Sequence, residues 1–155
     1  MKEHHFTCTL AEVGIEEISE EEKQLIAAAK EALQTAYAPY SDFRVGAAVL
    51  LENGKVIIGS NQENAAYPSG LCAERVAVFS AASQFPGEKI LAIAVTTANE
   101  IKEPVAPCGA CRQVMVEYEI KQDKKIRLLL TNPAGKIYIS ESVENLLPLV
   151  FQLRK

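Results

Sequence analysis

Two short stretches, whose first cysteines are 36 positions apart, constrain this chain more than anything else in it. The first is Pro68-Ser69-Gly70-Leu71-Cys72-Ala73-Glu74-Arg75 and the second Pro107-Cys108-Gly109-Ala110-Cys111-Arg112-Gln113. A lone cysteine near a glutamate carries little information, and so does a lone Cys-x-x-Cys. Together they form one ligand, a glutamate two positions on, and a distant Pro-Cys-x-x-Cys. A fold that uses this pattern must bring both stretches to one point.

Zinc explains the pattern best. It takes tetrahedral sulfur and nitrogen ligands, and a catalytic site keeps one position for water. Cys72, Cys108 and Cys111 supply three donors to one ion. Glu74 is then reserved for proton transfer. Each motif opens a helix, whose free N–H groups lower thiol pKa and offset sulfur charge. Arg75 and Gln113 are assigned as further hydrogen-bond donors to the sulfurs. A closed structural zinc would need a fourth ligand, for which only Cys8, His4 and His5 are available, all far off in sequence. A redox Cys-x-x-Cys leaves Cys72 unexplained.

The 155 residues suit one domain over 1–155, with 1–18 as an N-terminal extension. The hydrophobic share of 48% is enough for a core. Net charge is −4 and no run of Lys and Arg occurs, which argues against a nucleic-acid partner. No apolar run is long enough for a membrane span and the N-terminus lacks a signal-peptide core. Three of four cysteines sit in the motifs, so a reducing cytoplasm is expected.

Along the chain, Phe6 to Leu10 alternates weakly, as a short added strand would. Ser19 with Glu20, Glu21 and Glu22 reads as a capping box, and Leu25, Ile26, Ala29 and Leu33 recur at helical spacing to about Tyr37. Phe43 to Leu51 and Lys55 to Gly59 read as a hairpin around Asn53-Gly54. A largely apolar helix follows the first motif and stops at Phe85-Pro86-Gly87. Ile90 to Thr97 has the continuous apolar character of a strand covered on both faces. The second motif opens a helix to about Tyr118. Ile126 to Thr131 and Lys136 to Ile139 read as strands, and Ser142 is placed to cap a last helix. The order predicts one mixed sheet carrying helices.

The chain resembles the cytidine deaminases of the small, homotetrameric, three-cysteine type. The likeness runs from Ala36 to Phe151. Its blocks are Ala36-Tyr37-Ala38-Pro39-Tyr40-Ser41, Phe43-Arg44-Val45-Gly46-Ala47-Ala48, Asn61-Gln62-Glu63-Asn64-Ala65-Ala66-Tyr67, both zinc motifs, and Glu144-Asn145-Leu146-Leu147-Pro148. The resemblance implies a three-layer α/β/α sandwich on a mixed five-stranded sheet and one zinc ion per subunit. It implies hydrolytic deamination of cytidine and 2′-deoxycytidine, with release of ammonia, in pyrimidine salvage. It also implies that Asn61 and Glu63 bind ribose hydroxyls, that Phe43 lies against the base, and that Ala73 donates a backbone N–H to the pyrimidine carbonyl. Tyr67 and Phe151 match aromatics that reach a pocket across a subunit boundary, in a homotetramer. A polynucleotide or an aminated nucleoside antibiotic is the alternative substrate. Residues 1–18, Ala106 in place of a common serine, and the charged segment from Glu119 to Lys125 depart from the family pattern.

Overall fold

The computed structural model describes residues 1–153. It is an α/β fold on a mixed sheet. In chain order the elements are β1 (Ala11–Val13), α1 (Glu20–Ala32), β2 (Val45–Leu51), β3 (Val56–Ser60), α2 (Ala73–Gln84), β4 (Ile90–Thr97), α3 (Gly109–Gln122), β5 (Arg127–Thr131) and β6 (Ile137–Ser140). Among the described residues the strands lie in the order β1-β6-β5-β4-β2-β3. Only β4 and β5 pair in parallel; the other neighbours are antiparallel.

The expected sheet had five strands, and this one has six. The sixth is β1, which sets Ala11, Glu12 and Val13 against Ile139, Tyr138 and Ile137 on the edge of β6. The added strand also begins later than Phe6–Leu10, which is exposed and outside any strand. Thr9, just before it, is fixed by a side chain from the far end of the chain. Asn145 Oδ1 accepts from Thr9 N–H at 3.2 Å, and its Nδ2 donates to Thr9 O at 2.8 Å.

Side chains alternate along the strands and serve two cores. On one face Leu25, Ile26 and Ala29 of α1 pack on Ala48, Leu50, Ala92, Ala94 and Leu129. On the other, Ala77, Val78, Cys111, Met115 and Val116 of α2 and α3 pack on Val49, Ile93, Val95, Leu128 and Leu130. Hence β4 is apolar at nearly every position. Each fully buried aliphatic chain here contributes roughly 1.5–3 kcal/mol relative to exposure.

Two glycines let the helices approach closely. A Cβ on Gly46 would lie 2.1 Å from Ala29 O of α1, and one on Gly59 would lie 2.4 Å from Ala77 N of α2. Gly54, at φ 79°, closes the β2–β3 hairpin where Asn53-Gly54 predicted it.

The capping box on α1 is present: Ser19 Oγ accepts from Glu22 N–H at 3.2 Å, and Ser19 N–H donates to Glu22 Oε2 at 2.8 Å. The helix ends at Ala32 and tightens into a 3-10 turn over Leu33–Thr35, short of Tyr37. The last helix expected after Ser142 is a single 3-10 turn, Glu144–Leu146. Pro148 stops it, since proline cannot continue the hydrogen-bond ladder and bars helical angles at the residue before it. Ser142 does not cap the turn; its hydroxyl donates inward to Glu119.

Candidate metal centre and active site

Both motifs meet on the same side of the sheet. Cys72 is the N-cap of α2 and Cys108 the N-cap of α3, each in extended backbone (φ −71° and −65°). Cys111 lies within the first turn of α3 and is buried. The close approach of β3 at Gly59 to the first turns of α2 sets the height of Cys72 and Glu74. Packing of Cys111 and Met115 into the same core sets that of α3.

The three sulfurs lie within 4.8 Å of one another, and Cys72 Sγ is 3.8 Å from Cys108 Sγ. Two thiolates about 2.3 Å from a tetrahedral zinc stand about 3.8 Å apart. The donor set therefore fits zinc in spacing and in chemistry. It is the one cluster of three or more metal-ligating side chains among the described residues. Cys72 is pulled down to about 5, chiefly by a hydrogen bond from Cys111 and then by Arg75 and Cys108, which together outweigh its burial. Cys111 is pushed up, because it keeps the proton it shares with Cys72 and is itself buried.

Arg75 Nη2 donates to Cys72 Sγ at 3.5 Å. Gln113 does not. Its Nε2 donates to Phe151 O at 3.0 Å, so the amide holds the C-terminal tail instead of a sulfur. Position 113 is two residues past Cys111, which turns its side chain off the ligand face of the helix. Arg112, next to Cys111, braces the ligand loop. Its Nε donates to Pro107 O at 2.8 Å and its Nη1 to Leu146 O at 3.1 Å, tying the ligand loop to the tail.

A pocket of about 480 Å³ opens over the sulfurs. Cys72, Cys108, Glu74 and Arg75 line it at the metal end; Phe43, Asn61, Glu63 and Tyr67 line it elsewhere. Tyr40, Ser41, Val45, Leu71, Val105 and Ala106 complete much of the wall. Of these, Leu71 had a sequence signal as the residue before Cys72 in the first motif, and Tyr40, Ser41 and Val45 fall within the blocks that carry the resemblance, whereas Val105 and Ala106 enter through the loop that leads into Pro107-Cys108. Glu74 is 4% exposed, and burial, helped by the nearby Cys72 charge, raises its carboxyl above the ordinary range. A carboxyl shifted in this direction takes up a proton more readily than an exposed carboxylate does.

Asn61 is largely engaged with backbone. Its Oδ1 accepts from Val45 N–H and its Nδ2 donates to Phe43 O, both at 2.8 Å. Ala73 is buried at the start of α2. Tyr67 is exposed at the rim, and Phe151 lies outside this pocket, exposed on the tail.

Residues 19–124 match the family model of the cytidine and deoxycytidylate deaminase zinc-binding region. This chain belongs to that family. Within it, the chain is 44% identical over 130 residues to a cytidine deaminase of Sporosarcina psychrophila, covering 83% of this chain and 90% of the relative. A cytidine deaminase of Halalkalibacterium halodurans is 52% identical over 95 residues, 61% of this chain and 70% of that one. The crystal structure of a cytidine deaminase from Burkholderia pseudomallei superposes with a TM-score of 0.75 at 46% identity, over 86% of this chain and 100% of that chain. Membership of this deaminase family accounts for the three-cysteine cluster and assigns it one zinc per subunit. No helix among the described residues is long and apolar enough to cross a membrane.

Proposed function

We propose that the protein hydrolyses cytidine and 2′-deoxycytidine to uridine and 2′-deoxyuridine, releasing ammonia. The observation that carries this reading is the convergence of Cys72, Cys108 and Cys111 beside the buried Glu74 at one end of a nucleoside-sized pocket.

Zinc held by these thiolates supplies Lewis-acid activation of water at neutral pH. The chain's own residues do the rest. Arg75 donates to Cys72 and offsets the negative charge of the sulfurs. The Glu74 carboxylate accepts a proton from water as the water oxygen bonds to the carbon that bears the amine, and passes it to the adjacent ring nitrogen. It then takes the remaining proton of that oxygen and gives it to the amine, which leaves as ammonia as its carbon–nitrogen bond breaks and the oxygen becomes a carbonyl. Cytidine and water thus give uridine and ammonia with no proton unaccounted for. Phe43 lies against the base, and Ala73 N–H donates to the pyrimidine carbonyl. Asn61 and Glu63 bind the sugar hydroxyls, which selects nucleosides over free bases.

The same reading makes the chain one domain in a three-layer α/β/α arrangement, supported by cores on opposite faces of the sheet. It also makes it a homotetramer in which Tyr67 and Phe151 complete pockets of neighbouring subunits, working in the cytoplasm in pyrimidine salvage. Their high exposure, 76% and 68%, supports that role.

The decisive experiment incubates purified protein with cytidine. Ultraviolet absorbance should fall as uridine forms, ammonia should appear in equal amount, and a strong chelator should abolish both. Absence of turnover by the zinc-loaded protein overturns the reading.

A further inference from the structure

The loop between α1 and β2 is laced to the segment after β3. Tyr37 N–H donates to Asn61 O at 2.9 Å, and Glu63 N–H donates to Tyr37 O at 2.8 Å. The loop turns sharply at Asp42, which sits at φ 52°, a left-handed conformation unfavourable for most side chains. Asn99 holds that turn: its Oδ1 accepts from Arg44 N–H and its Nδ2 donates to Asp42 O, both at 3.1 Å.

Ser41 is the hub of this loop. Its Oγ donates to Glu63 Oε1 and accepts from Phe43 N–H at 3.0 Å. The backbone N–H groups of Tyr40 and Ser41 donate to Glu63 Oε2 at 2.8 and 3.3 Å. The Glu63 carboxylate therefore takes three bonds from two adjacent residues. A carboxylate has about four acceptor sites, so about one remains for a ligand hydroxyl, and its direction is set by the other three. The Ser41 hydroxyl first, and the Tyr40 N–H next, also hold Glu63 below the usual carboxylate range, which keeps it an acceptor.

We propose that Ser41 is a positioning residue whose hydroxyl locks the Glu63 carboxylate to the Phe43 backbone, fixing the sugar-binding group relative to the base-binding ring. The proposal rests on the roles given above to Phe43 and Glu63. Alanine at position 41 removes both side-chain links while leaving the two backbone bonds. Glu63 then regains rotamer freedom, and binding must re-order it.

The test combines steady-state kinetics with calorimetric binding of uridine. Ser41→Ala should raise KM for cytidine and Kd for uridine by about five- to tenfold, as the cost of re-ordering one freed side chain on binding would. Its kcat should stay within about twofold, with zinc content and Tm unchanged. Ser41→Thr, which keeps the hydroxyl, should restore most of the loss. In a Glu63→Gln background the effect of Ser41→Ala should largely vanish, because the two act through one contact. An unchanged KM, a loss confined to kcat, or additive effects in the double variant would overturn the proposal while leaving the deaminase reading intact. Wild-type protein that neither deaminates cytidine nor binds uridine would instead overturn that reading, and the role of Ser41 with it.

Discussion

Ser142, just past β6, donates its hydroxyl to Glu119 of α3 at 2.5 Å in the interior of the protein. The same carboxylate accepts from the N–H groups of Ile126 at 2.6 Å, Val143 at 3.0 Å and Glu144 at 3.1 Å. Four donors match its acceptor capacity, which is how a charge only 5% exposed is tolerated. Glu119 so joins the end of α3 to the start of β5 and to the turn that leads into the tail.

Glu119→Gln is nearly isosteric but turns an acceptor into a donor facing N–H or O–H groups. It should cost about 3 kcal/mol of stability, the order of a buried donor left unpaired plus lost charged hydrogen bonds. Urea unfolding measures this. A variant as stable as wild type would show that the clamp contributes nothing.

Glu74 is the buried carboxylate beside the sulfurs, and it is not needed to hold them together. Glu74→Gln should keep zinc at one per chain by elemental analysis while kcat falls by at least about 100-fold, the usual lower range for loss of a general acid–base group. Retained turnover would remove Glu74 from the chemistry. Lost zinc would make it a structural support of the metal site.

Gly59→Ala drives a methyl group into Ala77 N and Ala73 O of α2, at 2.4 and 2.8 Å. Both obstacles are backbone, so the helix must shift as a unit. Overpacking of this kind costs about 1–3 kcal/mol. Because α2 carries Cys72 and Glu74, zinc affinity should drop along with Tm. A competition titration against a chromogenic chelator reads the first, and calorimetry the second. Lower Tm with unchanged zinc affinity would mean that α2 does not transmit the strain to Cys72.

Glu22 sets a pH dependence of stability. Partial burial pushes its carboxyl up, but hydrogen bonds from the Ser19 backbone and from Arg127, at 2.6 Å, outweigh burial and leave it below the usual range. A carboxyl whose folded pKa is depressed stabilises the protein above its unfolded pKa. That stability is lost as pH falls through the lower, folded value. Glu22→Gln should thus cost about 1 kcal/mol at pH 7, comparable to a helix cap. The gap from wild type should close in the acid range, below the unfolded carboxyl pKa near 4.3. A cost that persists unchanged at pH 3 would assign the effect to packing.

The folding pattern was legible wherever it is local. The Leu25, Ile26 and Ala29 spacing, the Ser19 capping box, the turn at Asn53-Gly54 and the apolar run of β4 all depend on residues within a few positions of one another. Each half of the metal site is local in the same way, because each motif places its cysteines at a helix start, where backbone geometry is narrowly defined, whereas the packed sheet brings the two halves together. Arg75 reaches Cys72 from one helical turn away, which is also a local fact.

What the chain order did not reveal are choices among distant partners. Gln113 had two possible acceptors, and the course of the tail past α3 decided for Phe151. Ser142 had a helix to cap or a carboxylate to meet, and the nearness of α3 decided for Glu119. The sixth strand formed at Ala11–Val13 because that is where the β6 edge runs, whatever the alternation at Phe6–Leu10 suggested. Periodicity and motif spacing are properties of a few neighbouring residues and survive without a fold. A polar side chain takes whichever partner the packed cores bring within about 3 Å, and only the assembled tertiary structure sets that distance.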